Sequence, residues 1–300
     1  MTDLPGAVPK WGAYVSLLKP GITGLILLMA VAGFFAGDPT YPPPWVKLGG
    51  ILLAGGMASG GAAALNHWYD RDIDARMKRT RDRPLPSEAV SPNHALVLGL
   101  LLTALSLPVA YLTVNLLSML AMASGSVVYV LVYTVWLKRR TRWNIVVGGY
   151  AGSAPVLAGC AAAVGTFTPA GLLLALLVFL WTPPHFWSLA VALKDDYGRT
   201  ELPMLPVPGD LTRSARTVVV SALLLLVPTA AFVLLPASFR LFLVLALVLG
   251  LGFVATTWPM LKNVSRPVAI RGFIASGLYL IGVALAMVAD WGWVSLPFLR

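Results

Sequence analysis

Charge is scarce in this 300-residue chain, where Asp, Glu, Lys and Arg together make up 11% of the sequence. An average soluble domain carries about a quarter. Cysteine is scarcer still: Cys160 stands alone, which excludes an intramolecular disulfide and a thiolate metal cluster. It lies in an apolar run, where an inert small side chain is the simplest reading. Residues 1–13 carry little charge and contain Pro5 and Pro9, so they do not read as a signal or transit peptide.

What fills the chain instead is apolar sequence, 58% by count. A helix that crosses a bilayer needs roughly 20 mostly apolar residues. Segments of that kind fall at about 14–37, 47–66, 94–114, 116–137, 143–163, 169–192, 217–236, 239–260 and 270–290. Backbone polar groups inside lipid must be satisfied within the segment, so these runs are helices. The expected fold is all-α: one domain over residues 1–300, a polytopic membrane bundle of nine transmembrane helices with cytoplasmic cap loops. With the N-terminus on the first side, 19 of the 22 basic residues share that side and only Lys47, Arg240 and Arg300 oppose them. The positive-inside rule then places the N-terminus in the cytoplasm and the C-terminus outside. The same rule accounts for the net charge of +10 without nucleic acid as a partner.

Topology does not account for the acids. Two internal connections, 67–93 and 193–216, hold nine of the twelve carboxylates, and long connections of this kind are often functional. At the start of the first, Asn66, Asp70 and Asp74 are spaced i, i+4, i+8. On a helix that prolongs the second span they form one polar stripe about 12 Å long, with Asp72 on the opposite face. Three oxygen-bearing side chains on one face suit Mg²⁺, which takes one or two carboxylates and leaves its other positions to water and substrate phosphates. Arg79 and Arg83 follow, four apart, before Pro84-Leu85-Pro86. Guanidinium groups bind phosphate through paired hydrogen bonds. The plainer alternative is a solvated helix end whose acids and bases pair with one another.

The second connection repeats the pattern. Trp181-Thr182-Pro183-Pro184-His185-Phe186-Trp187 leads into Lys194-Asp195-Asp196-Tyr197 and then Pro203-Met204-Leu205-Pro206-Val207. On a continuous helix His185 shares a face with Asp196 and lies about 16 Å deeper in the membrane. An ionisable residue inside a span is a functional candidate by default; the plainer alternative is a neutral imidazole bonded to a carbonyl beside the proline pair. His67, at the membrane surface, and His94, at the start of the third span, read as structural. In the third internal connection Lys138, Arg139 and Arg142 can neutralise a diphosphate, or serve only topology and lipid head groups.

The segment Asn66-x-x-x-Asp70-x-x-x-Asp74-x-x-Met77-x-Arg79-Thr80-x-x-Arg83-Pro84-Leu85-Pro86 resembles the signature of the protohaem IX farnesyltransferase (haem O synthase) family, within the intramembrane aromatic prenyltransferase superfamily. Three further stretches resemble the same family: Leu137-Lys138-Arg139 with Asn144 and Gly148-Gly149, Trp181 to Trp187, and Lys194 to Val207. The resemblance implies a lipid-open cavity under cytoplasmic loops in a bacterial inner membrane. Its substrates would be farnesyl diphosphate as donor and haem b as acceptor, attacked at a vinyl group, and Mg²⁺ would be its cofactor. It assigns the metal to Asn66, Asp70, Asp74 and Asp196, with Asp195 in reserve. It assigns the diphosphate to Arg79, Arg83, Lys138 and Lys194, with Arg139 and Tyr197 in the substrate-binding set, and makes His185 the candidate for haem iron. Haem A synthase or terminal oxidase assembly would be partners.

Three rivals remain at this level. A prenyltransferase for a quinone precursor would share the fold but not the Trp181 to Trp187 stretch. An anion transporter would show repeat-related broken helices and acids at mid-membrane. An assembly factor would release no diphosphate.

Overall fold

The computed structural model describes residues 10–37, 43–194, 202–203, 211–236 and 239–294. Asp195, Asp196 and Tyr197 lie outside them. Among the described residues there is no strand, and nine helices are long and apolar enough to cross a membrane. The architecture is the all-α bundle expected from the apolar runs.

After a short helix, α1 (Lys10–Leu17), the spans are α2 (Pro20–Gly37), α3 (Trp45–Arg76), α4 (Pro92–Thr113) and then α5 (Leu116–Val127), which continues as a π-helix over Val128–Leu137. The fifth span joins α6 (Asn144–Gly148) to α7 (Tyr150–Val164), and the sixth is α8 (Pro169–Ala192). The last three are α9 (Leu211–Leu224) with α10 (Leu226–Ala231), α11 (Arg240–Thr257) and α12 (Arg266–Val294). Pro183 and Pro184 do not interrupt α8, so the helix is continuous from its start through His185 to Ala192.

With lipid tails as apolar as leucine, helices associate by close packing at small residues. The junction of α2 and α7 shows this: a Cβ at Gly33 would land on the Val156 carbonyl, and one at Gly159 on the Ala30 carbonyl. Gly61 and Gly99 bring α3 against α4 in the same way. Outward faces remain apolar and exposed, as at Leu112, Leu131, Val248 and Leu278, which suits contact with acyl chains.

Helix α3 is the longest, at 32 residues, and it decides where the polar stripe goes. It runs on as a helix beyond the apolar run that ends near residue 66. Asn66, Asp70 and Asp74 are all buried on its inner side, while Asp72 is exposed. The helix stops at Arg76 because Met77 is extended (φ −94°, ψ 132°), and the Thr80 hydroxyl folds back to donate to the Asp74 carbonyl at 2.9 Å.

Candidate functional site at the polar end of an apolar cavity

The stripe on α3 is the centre of a connected polar cluster. Asn66 Nδ2 donates to Asp70 Oδ2 at 2.7 Å and to Thr134 Oγ1 at 3.1 Å. Lys138 Nζ lies 2.5 Å from the same Asp70 oxygen. Arg83 Nη1 donates to Asp74 Oδ2 at 2.8 Å, and the pair is largely buried. Arg139 makes a bidentate contact with Asp72, at 2.7 and 2.9 Å, and reaches to 3.9 Å of Asp70 Oδ1. That Asp70 oxygen is buried and accepts no hydrogen bond among the described residues.

The π-helix brings the fourth span to this cluster. Its wider turn is closed where the Lys138 N–H donates to the Tyr133 carbonyl, five residues back, at 2.8 Å, and the Thr134 hydroxyl donates to the Tyr129 carbonyl, also at 2.8 Å. Single π turns inside helices often mark functional sites. Here the turn stacks Tyr129 on Tyr133 (5.9 Å between centroids, 17° between planes) and directs Thr134 to Asn66 and Lys138 to Asp70.

One member of the cluster is absent from the sequence reading. Lys19, counted there only as a topological charge, sits between α1 and α2 with φ at +46°, a backbone conformation uncommon for a side chain other than glycine. Its Nζ donates to Asn66 Oδ1 at 2.7 Å and approaches the Tyr129 hydroxyl at 3.4 Å. Burial, with Arg83 and Lys138 nearby, pushes its pKa down to about 7, against the opposing pull of Asp74 and Asp70. The available signal was Lys19-Pro20, a basic residue immediately before a helix-starting proline, but nothing local reveals the kink that turns it inward.

Below the cluster lies an apolar cavity of about 290 Å³. Lys19, Tyr129 and Tyr133 line its polar end, Met29, Ile51 and Met122 are among its apolar lining, and His185 and Phe186 of α8 form part of its wall. His185 Nδ1 is 2.6 Å from Ser276 Oγ, and the ring is stacked on Trp181 and on Phe273. The Ser276 hydroxyl itself donates to the Phe273 carbonyl at 2.6 Å. A hydroxyl has one hydrogen, so Ser276 accepts from Nδ1–H. Nε2 of His185 then carries the lone pair.

Other expectations fare differently. Arg79 does not join Arg83: the helix ends at Arg76, the chain turns over 77–83, and Arg79 is exposed while Arg83 folds onto Asp74. Lys194 is exposed at the end of α8, beside Arg266. His67, read as structural, is buried at 2% exposure. His94 is structural as read, with Nδ1 2.8 Å from the Tyr14 hydroxyl.

A family model described as UbiA prenyltransferase matches residues 26–280. The chain belongs to the UbiA prenyltransferase family. Within that family it groups with curated relatives named protoheme IX farnesyltransferase. That of Picosynechococcus sp. is 42% identical over 93% of this chain and 88% of its own length, and that of Symbiobacterium thermophilum is 43% identical over 92% and 93%. The resemblance read from the motifs is therefore borne out over almost the whole chain. Among solved structures, a UbiA homolog from Archaeoglobus fulgidus bound to DMAPP and Mg²⁺ superimposes with a TM-score of 0.71 at 20% identity, covering 92% of this chain and 99% of that one. A digeranylgeranylglyceryl phosphate synthase gives 0.75 at 15% identity over 94% and 98%. The UbiA fold is thus shared across relatives too distant in sequence to define a substrate.

Proposed function

We propose that this UbiA-family chain transfers a farnesyl group from farnesyl diphosphate to a vinyl group of haem b, giving haem O. The observation that carries the proposal is the joining of two features in one site. A cluster of cations and carboxylates sits at the polar end of an apolar cavity, and a histidine with an available Nε2 lines the same cavity.

The donor's diphosphate belongs at the cluster, where Lys19, Arg83 and Lys138 converge. In the free protein these cations are held by Asn66, Asp74 and Asp70. On binding they turn to phosphate oxygens, which keeps the buried charges compensated in both states. Their positive charge lies where the leaving group gains negative charge as the carbon–oxygen bond breaks. Arg139, fixed by Asp72, stands beside them.

The same cluster fits Mg²⁺. Asn66, Asp70 and Asp74 offer hard oxygen donors in one row, and the buried Asp70 Oδ1 lacks a hydrogen-bond partner among the described residues. Asp195 and Asp196 are the second acidic pair in this assignment, with Tyr197 and Lys194 beside them. When bound, Mg²⁺ would neutralise charge on the diphosphate as a Lewis acid.

The farnesyl chain occupies the apolar cavity, whose walls exclude water from the allylic cation until the vinyl group attacks. Water enters afterwards, since the product carries a hydroxyl. His185 is the acceptor's anchor: stacking on Trp181 and Phe273 and the bond to Ser276 fix its ring, and such support of the second nitrogen is usual for metal-bound histidine. Haem is a substrate here, not a resident cofactor. The protein works in a bacterial inner membrane with the cluster on the cytoplasmic side, and haem A synthase or the terminal oxidase assembly takes its product.

Membranes containing the protein should convert farnesyl diphosphate and haem b, with Mg²⁺, into a pigment whose mass is that of haem b plus one farnesyl group and one hydroxyl. Prenylation of a quinone precursor with haem b left unchanged would overturn the assignment.

A further inference from the structure

We propose that His67 is a further ligand of the donor's diphosphate, supplying a hydrogen bond that the buried cations around it cannot accept. The inference rests on the prenyl transfer proposed above and adds a residue that the acidic motif itself does not contain.

His67 is buried at 2% exposure, and neither of its ring nitrogens has a hydrogen-bond partner among the described residues. A buried polar atom left without a partner is unfavourable, and native structures seldom retain one without a reason. A neutral imidazole holds one N–H donor and one acceptor nitrogen, so an apolar pocket cannot satisfy either.

Its position on α3 gives the reason. At 3.6 residues per turn, His67 lies about 20° around the helix from Asp74 and about 60° from Asp70. It therefore belongs to the edge of the same stripe, one turn below Asp70. Ala63, one turn deeper on that side, lines the cavity. Burial is the first influence on His67, and the cations Lys19, Arg83 and Lys138 of the cluster are near enough to add to it.

Arginine and protonated lysine carry donors and no acceptor. The N–H of His67 has no acceptor among the described residues, and a further donor cannot relieve it. The chemistry that satisfies the imidazole N–H and the three cations together is an oxyanion with several oxygens. A diphosphate has that chemistry, whether it arrives as the prenyl donor or as free pyrophosphate. A neutral water would satisfy the ring without adding anything to donor affinity, and this is the alternative that the experiment separates.

The test uses the full-length protein in detergent, with inorganic pyrophosphate and farnesyl diphosphate as probes and Mg²⁺ present. His67→Leu removes both polar atoms, and His67→Met serves in its place if the leucine variant fails to insert. His67→Gln keeps a donor and an acceptor. Thermal melts confirm folding, and haem absorbance titration monitors the acceptor side. The expected result is an approximately tenfold weaker affinity for both probes in the apolar variant, a matching rise in KM for the donor, affinity restored by His67→Gln to within about threefold, and unchanged haem binding. His94→Gln, far from the cluster, should match the parent.

Unchanged pyrophosphate affinity in the apolar variant overturns the inference, as does an equal loss in His67→Gln or a parallel loss of haem binding. The outcomes also separate it from the functional proposal. A parent protein that binds pyrophosphate through His67 but leaves haem b unmodified refutes the acceptor while upholding His67.

Discussion

Lys138 Nζ and Asp70 Oδ2 lie 2.5 Å apart although 68 residues separate them in the chain. The π-helix carries one and the extended α3 the other, so two irregular features of the spans meet in one ion pair. Asp70 also accepts from Asn66 and stands 3.9 Å from Arg139, which makes it the most heavily engaged carboxylate of the cluster.

Asp70→Asn keeps the side-chain volume and removes that charge. Turnover should fall by on the order of 10²-fold, comparable to the loss of one preorganised electrostatic contact at a reacting centre. Asp72→Asn breaks only the pair with Arg139, whose side chains are 46% and 34% exposed. Exposed pairs are worth about 0–1 kcal/mol, so this variant should stay within about fivefold of the parent. Steady-state assays in membranes with matched protein levels make the comparison. A larger loss in Asp72→Asn than in Asp70→Asn contradicts the inward stripe.

Lys19 gives donor binding a pH dependence with a definite sign. Its pKa is lowered to about 7 by burial first, then by Arg83 and Lys138. Below that pH the free protein already holds the ammonium. Above it the amine is neutral, and an incoming diphosphate raises the pKa and draws a proton in as it binds. Affinity for the donor should therefore fall as pH rises through 7. Lys19→Arg stays charged throughout and should flatten that fall, whereas Lys19→Met should cost more affinity at pH 6 than at pH 9. Labelled-donor binding from pH 6 to 9 reads all three; parallel profiles for the parent and Lys19→Arg would exclude the lysine as the source.

Much of this site is legible in the sequence because helical periodicity is a local property. The spacing of Asn66, Asp70 and Asp74 gives their common face once α3 is known to be a helix, and the apolar runs give the nine spans. The rest is made by tertiary contacts. Lys19 turns inward through a single left-handed residue, and Arg79 loses its i+4 partner because α3 stops at Arg76. The link between Ser276 and His185 spans 91 residues, and no spacing rule reaches that far.

The distribution of basic residues predicts opposite sides for two positions. Lys138 should be cytoplasmic and Arg240 external, since 19 of 22 basic residues fall on the side of the N-terminus. The helices between them, α6 with α7, α8 and α9 with α10, supply three crossings, an odd number. Cysteine-labelling with a membrane-impermeant reagent in a Cys160→Ala background checks this, and labelling of both positions from one side would break the nine-span order.

The two substrates should separate on two residues. His185 lines the cavity with Nδ1 committed to Ser276 and its ring stacked on Trp181 and Phe273, whereas Arg83 sits on Asp74 within the cluster. His185→Ala should weaken haem binding and alter the haem absorbance spectrum, with farnesyl diphosphate affinity nearly intact. Arg83→Ala should do the reverse, lowering donor affinity about tenfold, as expected for a charge-assisted contact of about 1.5–3 kcal/mol, and leaving the haem spectrum unchanged. Ser276→Ala provides a graded control: it frees Nδ1 without removing the ring, so haem binding should weaken by less than in His185→Ala. Both titrations run on the same purified samples. An unchanged haem spectrum in His185→Ala would take the histidine out of the acceptor site and leave its bond to Ser276 as a packing feature of α8 and α12.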